Sequence, residues 1–147
     1  MKKGVDFIGV GTGAIIFNKE GKVFVTQRGP KARNENGKWD FPGGAVEFGE
    51  TCEKAVVREL QEEFDIEIEV IELVDVVNHI LPEEKQHWVS PSFVARHVGG
   101  VPRITEPEKC TGFKWMKLAE INPDELSMAS KSNRQKFIEK YGVTKIF

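Results

Sequence analysis

Gly44-Ala45-Val46-Glu47-Phe48-Gly49-Glu50-Thr51-Cys52-Glu53-Lys54-Ala55-Val56-Val57-Arg58-Glu59-Leu60-Gln61-Glu62-Glu63-Phe64-Asp65-Ile66 is the stretch on which the reading of this chain turns. A glycine turn at Gly43-Gly44 leads into a helix expected from about Thr51, an N-cap residue type, to about Phe64. At about 100° per residue, Glu62, Glu59 and Glu63 fall within an arc of roughly 100°. Val56, Val57, Leu60 and Phe64 fill an adjoining arc and are expected to face the core. Taken alone, an acidic helix face reads as a solvated surface. Its like charges nevertheless repel by a few tenths of a kcal/mol per pair, on the order measured in helices, unless a cation binds them. Hard divalent cations favour such oxygen ligands, and Mg2+ is commonly held by a few carboxylates together with substrate phosphates.

Upstream of the helix, Phe7 to Phe17 is apolar and β-prone. Gly9, Gly11 and Gly13 share one face of that strand, as the two-residue period requires. They do not form a dinucleotide fingerprint, because the spacing is wrong and no helix follows. They mark a strand that another backbone or a ligand approaches closely. Asn18 to Gly21 is a turn and Val23 to Arg28 the returning strand. Gly29 to Lys38 is a polar loop carrying Lys31, Arg33 and Lys38, Trp39-Asp40-Phe41 a short strand, and Pro42-Gly43-Gly44 a turn. Downstream, Ile66 to Ile80 and His87 to Val98 read as long antiparallel strands joined by a turn over Leu81 to Lys85. Phe113 to Lys117 is a short strand, and a last helix fits Ala129 to Tyr141 with Phe137 and Ile138 as core candidates. The pattern is α+β, a mixed β-sheet flanked by helices.

The chain has 147 residues, enough for one domain with a sizeable core. With 39% apolar and 30% charged residues, overall disorder is excluded as a reading. A net charge of −2, with Lys and Arg spread along the chain, argues against non-specific binding to a nucleic-acid duplex. Two cysteines, Cys52 and Cys110, are too few for a disulfide scaffold or a zinc site. No segment approaches the roughly 20 apolar residues of a membrane span. Met1 to Asp6 lacks the apolar region of a secretory leader, so a cytoplasmic protein is expected.

The spacing of Gly44, Glu50, Arg58-Glu59-Leu60, Glu62-Glu63 and Ile66 resembles the Nudix box of the Nudix hydrolases. One position departs: Asp65 stands where the family usually has glycine. That position closes the helix in a left-handed conformation, which Asp tolerates better than most residues, so the departure touches the turn rather than the chemistry. The resemblance extends from about Gly9 to about Gly142. It includes Trp39 to Gly44, Glu47 to Thr51, Val77-Asn78-His79 with His87-Trp88, and Glu106 to Lys109 leading into Trp115. These segments look like the MutT-like branch of nucleoside triphosphate pyrophosphohydrolases.

The resemblance implies a single Nudix domain over residues 1–147, with the family's α/β/α sandwich. It implies an enzyme that hydrolyses nucleoside triphosphates to monophosphate and pyrophosphate with Mg2+, or Mn2+ in its place. Glu62 and Glu63 would be metal ligands, and Glu59 would lie beside the attacked water as ligand or general base. Arg58 would orient neighbouring carboxylates with Glu50 as its partner, and the Gly43 carbonyl would complete the metal shell. A plain intrahelical pair with Glu62 is the simpler role for Arg58. A later loop carboxylate would join the site, with Glu108 preferred over Glu106; a solvated loop charge is the alternative for it. Arg28 resembles an arginine that contacts substrate phosphate, with a free surface arginine as the alternative. Gly44 would allow close approach of the substrate, and Trp39, Phe41, Trp88 and Phe113 would be stacking platforms or core residues. The expected partner is a small nucleotide, with neither duplex nor membrane, and a homodimer is compatible with the long strands. ADP-ribose or another nucleoside diphosphate-linked substrate is the alternative, for which Pro82 is the one supporting residue. A non-catalytic nucleotide-binding module would have no need of the full acidic set.

Overall fold

In the computed structural model, which describes Met1 to Phe147, strand β1 (Gly9–Phe17) divides the interior in two. Ala14 and Ile16 point to one face of the sheet, and Ile15 and Phe17 to the other. The first face packs under helix α1 (Cys52–Phe64) through Phe24, Val56, Leu60 and Phe64. The second packs under helix α2 (Met128–Tyr141) through Val23, Val25, Leu126 and Phe137. Both layers hold fully buried phenylalanines, and the expected sandwich of helices around a mixed sheet is what forms.

β2 (Val23–Arg28) returns antiparallel to β1, starting from the pair Phe17 and Val23. The two strands then part, and the segment from Trp39 to Ala45 is inserted between them. Its first half, β3 (Trp39–Asp40), pairs with β2, and its second half, β4 (Gly43–Ala45), pairs with β1. The sequence predicts a turn at Pro42-Gly43-Gly44; β4 forms there instead. It forms because Gly43 faces Gly13 with no side chain between the strands: a Cβ on Gly43 would collide with the Thr12 carbonyl. The long hairpin of β5 (Glu67–Leu81) and β6 (Gln86–Gly99) completes the frame, with β6 parallel to β1. β7 (Cys110–Met116) lies along β2.

α1 begins where expected. Thr51 caps it by accepting from the Lys54 N–H at 3.2 Å. It ends on Asp65, which adopts φ 57° and ψ 36°, the left-handed turn for which the box normally uses glycine. The segment after β6 covers the last carbonyls: Arg103 N–H donates to Phe64 and Thr105 N–H to Glu63, at 3.0 and 3.1 Å. The core stripe differs from expectation at two positions. Val57 is 38% exposed, while Ala55 is fully buried on the other flank of the stripe. No helix is long and apolar enough to cross a membrane.

Candidate active site

The parting of β1 and β2 leaves a cleft of about 370 Å3 roofed by α1, with Gly43, Gly44 and Ala45 on its floor. Glu59, Glu62 and Glu63 all line it, because positions three and four apart share a helix face. Gly44 leaves room for the Glu59 carboxylate, which a Cβ there would displace. Arg58 ties the group together. Its Nε and Nη2 grip both oxygens of Glu50 at 3.0 and 2.6 Å, and Nη1 reaches Glu59 and Glu62 at 3.0 and 3.1 Å. Nη2 also donates to the Ala45 carbonyl at 3.1 Å, fixing the helix to β4. The hydrogen bonds from Arg58, joined by the Glu47 N–H, hold the Glu50 carboxyl down at about 2. Glu63 shows the opposite effect. Its burial, then the charge of Glu59, push its pKa up to about 8.

No three of these carboxylates are gathered into a finished coordination sphere, because Arg58 holds Glu59 and Glu62. The donor set nevertheless fits a hard divalent cation. It is all oxygen, backbone carbonyls lie on a glycine floor, and Glu63 would ionise near neutrality only beside added positive charge.

A second, polar cavity lies across the Gly43-Gly44 floor, between β1, β6 and the start of α2. Asp40 organises it. Its carboxylate accepts from Arg28 at 2.7 Å, Ser127 at 2.6 Å and Ser130 at 2.7 Å. Ser130 Oγ also accepts the Phe41 N–H at 2.9 Å. Arg28 donates further to the carbonyl and side chain of Asn34, at 2.7 and 3.0 Å. The loop over Gly29 to Lys38 is thereby folded down, and a pair between His79 Nε2 and Glu35 at 2.6 Å clamps it to β5. Burial alone would raise the Glu35 pKa, but hydrogen bonds from His79 and the Met128 N–H outweigh it and hold it below the usual range. Thr12 Oγ1 and Asn133 Oδ1 are buried on this cavity with no hydrogen-bond partner in the protein. A buried polar atom without a partner costs about 1–3 kcal/mol, so an ordered water or a polar group of a ligand is expected to meet these two.

The structure brings together Gly43, Gly44, Glu50, Arg58, Glu59, Glu62 and Glu63 as expected, with Glu50 beneath the cleft as the anchor of Arg58. Glu108 is not brought in: its side chain is 70% exposed and pairs with Lys31. Glu106 lines the cleft instead, paired with Lys109 at 3.0 Å. Arg28 lies between the two cavities, with three hydrogen bonds already made. Trp39 lines neither cavity and is covered by Lys114, 4.3 Å from its ring. Phe41 borders the polar cavity, though only 3% exposed, and Trp88 borders it too. Phe113 packs on Phe24 away from both. The Asp40, Ser127, Ser130 and Asn133 cluster was not read from the sequence, since no local spacing joins β3 to the start of α2.

The NUDIX domain profile matches residues 8–140, and the chain belongs to that family. It is 34% identical to the 8-oxo-dGTP diphosphatase of Escherichia coli strain K12 over 116 residues, 79% of this chain and 85% of that protein. It is 44% identical to the 8-oxo-dGTP diphosphatase of Proteus vulgaris over 69 residues, a match spanning 47% of this chain and only 61% of that relative. Among solved structures, the MutT NUDIX hydrolase from Burkholderia pseudomallei superposes with a TM-score of 0.79 at 34% identity, over 88% of this chain and 97% of that one. The family, expected from the box, and its MutT-like branch, expected from the segments around it, therefore stand, and the protein is a Nudix hydrolase.

Proposed function

We propose that this member of the NUDIX family hydrolyses nucleoside triphosphates to monophosphate and pyrophosphate, with Mg2+ or Mn2+ held by Glu62, Glu63 and the Gly43 carbonyl, and with Glu59 beside the attacked water as a further ligand or as the general base. One observation carries the reading: an acidic cleft and a polar cavity meet on one glycine floor, sharing Arg28, Arg33, Asp40, Gly43 and Gly44. Phosphates with their cation suit the first, and a base with its sugar suits the second. When bound, the cation neutralises charge on the phosphate oxygens and makes a water molecule a better nucleophile. Glu59, 14% exposed and resting over Gly44, is placed to accept the proton of that water. Arg58 fixes the Glu59 rotamer, and Glu50 fixes Arg58. Glu106, rather than Glu108, supplies the additional carboxylate at the rim.

The names of the relatives, 8-oxo-dGTP diphosphatases, support a triphosphate substrate. Pro82, the residue that favours ADP-ribose, sits in the turn between β5 and β6 and lines neither cavity. The test is a side-by-side assay of nucleoside triphosphates, ADP-ribose and nucleotide sugars with Mg2+, Mn2+ or chelator. Triphosphates should give pyrophosphate and the highest kcat/KM, and chelator should abolish turnover. Orthophosphate as the product, or a higher kcat/KM for ADP-ribose, would overturn the substrate assignment.

A further inference from the structure

Five cationic side chains line the two cavities, and four of them have a carboxylate partner: Arg28 with Asp40, Lys31 with Glu108, Arg58 with Glu50 and Lys109 with Glu106. Arg33 has none. Its backbone carbonyl accepts from Gln86, but no hydrogen bond or ion pair engages its guanidinium. Arg33 and Arg28 are the two cations that border both cavities.

The free guanidinium is not a loose surface group. It stacks on the indole of Trp88, 3.8 Å from the ring centroid. Trp88 is only 4% exposed and is wedged against Gly4 and Gly9, where any Cβ would overlap the ring. Gln86 locks the stack: it accepts from Trp88 Nε1 and from Asn34 Nδ2, both at 2.9 Å, and donates to the Arg33 carbonyl at 2.6 Å. One face of the guanidinium is held by an aromatic ring, and the donors around its edge are left open. That is the arrangement suited to planar recognition of a phosphate.

We propose that Arg33, and not Arg28, grips the phosphate attached directly to the nucleoside. This rests on the reading that the polar cavity takes the nucleoside and the acidic cleft the remaining phosphates, because only a group at their junction sees that phosphate. Arg28 then has a structural task, holding Asn34 and Asp40 in place. Arg33 is a binding residue that reads phosphate rather than base.

The test compares a nucleoside 5′-monophosphate with its nucleoside, for the base hydrolysed fastest, by calorimetric titration of the full chain in chelator. The wild type should bind the monophosphate about 10- to 100-fold more tightly than the nucleoside, the range of a charge-assisted hydrogen bond. Arg33→Met keeps a stem to pack on Trp88 without the charge. It should lose most of that preference while binding the nucleoside within about twofold of wild type; Arg33→Lys should recover part of the preference. If Arg33→Met weakens both ligands equally, Arg33 is a stacking lid and the proposal is overturned. It is also overturned if Arg33→Met retains the full preference. A wild type that neither hydrolyses triphosphates nor binds the nucleoside would sink the functional reading and this inference together. A wild type that does both, with Arg33→Met unchanged, would sink the inference alone.

Discussion

Replacing Arg58 by lysine keeps the positive charge and removes the fork. Arg58 makes five hydrogen bonds, to Glu50 twice, Glu59, Glu62 and the Ala45 carbonyl. A lysine ammonium has three donors at one point and cannot span these acceptors. If it stays with Glu50, Glu59 and Glu62 are released. A charge-assisted hydrogen bond is worth about 1.5–3 kcal/mol when well buried. Arg58 is 23% exposed and Glu62 is 59% exposed, so screening reduces this strongly. The expected loss of stability is about 1–2 kcal/mol, read from the urea midpoint at constant m. Catalysis should suffer more than folding. A base displaced by about 1 Å loses on the order of a hundredfold in rate, so kcat should fall by about tenfold to a hundredfold with little change in KM.

The same substitution has a pH signature. The Glu50 carboxyl, held at about 2 chiefly by hydrogen bonds from Arg58, should titrate closer to the ordinary 4.5 in the variant. A folded-state pKa below the unfolded value stabilises the fold above about 4.5, and that contribution is lost as pH falls towards 2. The wild type should therefore lose stability across that window, and Arg58→Lys should lose less. Carboxyl chemical shifts of Glu50 and urea midpoints between those pH values check both. The reasoning is refuted if Arg58→Lys keeps kcat/KM within twofold while Glu50 still titrates near 2.

Three further outcomes are expected. Glu62→Gln should lower kcat by about a hundredfold or more in the presence of Mg2+ with no loss of stability, whereas Glu53→Gln, outside the cleft, should be nearly silent; equal damage would misplace the acidic face. Asp65→Gly should raise stability by about 0.5–1 kcal/mol, because relief of the left-handed backbone exceeds the exposed bonds of its carboxylate to Arg103 and Gln61; a loss of more than about 1 kcal/mol in urea would show otherwise. Glu63, raised to about 8, stabilises the cation-free fold fully below its ordinary 4.5, and this contribution is lost as pH rises through about 8. Cation affinity runs the other way, rising by up to about tenfold per pH unit until Glu63 has ionised; a flat Mn2+ titration between pH 6 and 8 would refute it.

What could be read from the sequence depended on whether a signal was local. α1 was legible because its caps, its apolar stripe and its acid positions repeat within fourteen residues, Thr51 to Phe64. The error within it, Val57 for Ala55, arose at the edges of the stripe, where neighbouring strands decide burial. The long hairpin was legible from β-branched density. β4 was read as a turn because its strand character comes from Gly13 opposite Gly43, a tertiary fact. Glu106 and Glu108 lie in one loop with equal claims in sequence, and only the pairing of Glu108 with Lys31 separates them. In sequence Arg28 reads as a phosphate contact or a free surface arginine, because its partners, Asn34 and Asp40, meet it only after the loop folds back. The polar cavity had no sequence signature, since Thr12, Asp40, Ser92, Ser130 and Asn133 come from β1, β3, β6 and α2.

The two halves of the site are unfinished in complementary ways. In the acidic cleft, burial and then the charge of Glu59 make Glu63 favour its proton. In the polar cavity, Thr12 and Asn133 bury atoms that no protein donor or acceptor satisfies. Folding tolerates both because the scaffold around them is stiff: Arg58 with Glu50 on one side, and Asp40 with Arg28, Ser127 and Ser130 on the other. On the proposed function a cation would relieve the first defect and a nucleoside the second, so each ligand would gain free energy from groups already oriented rather than from ordering a loop. A substrate spanning both must cross the glycine floor, where Arg33 offers the one cation without a carboxylate partner. Binding of the whole substrate should therefore stabilise the fold more than either part alone, by the linkage between ligand affinity and unfolding.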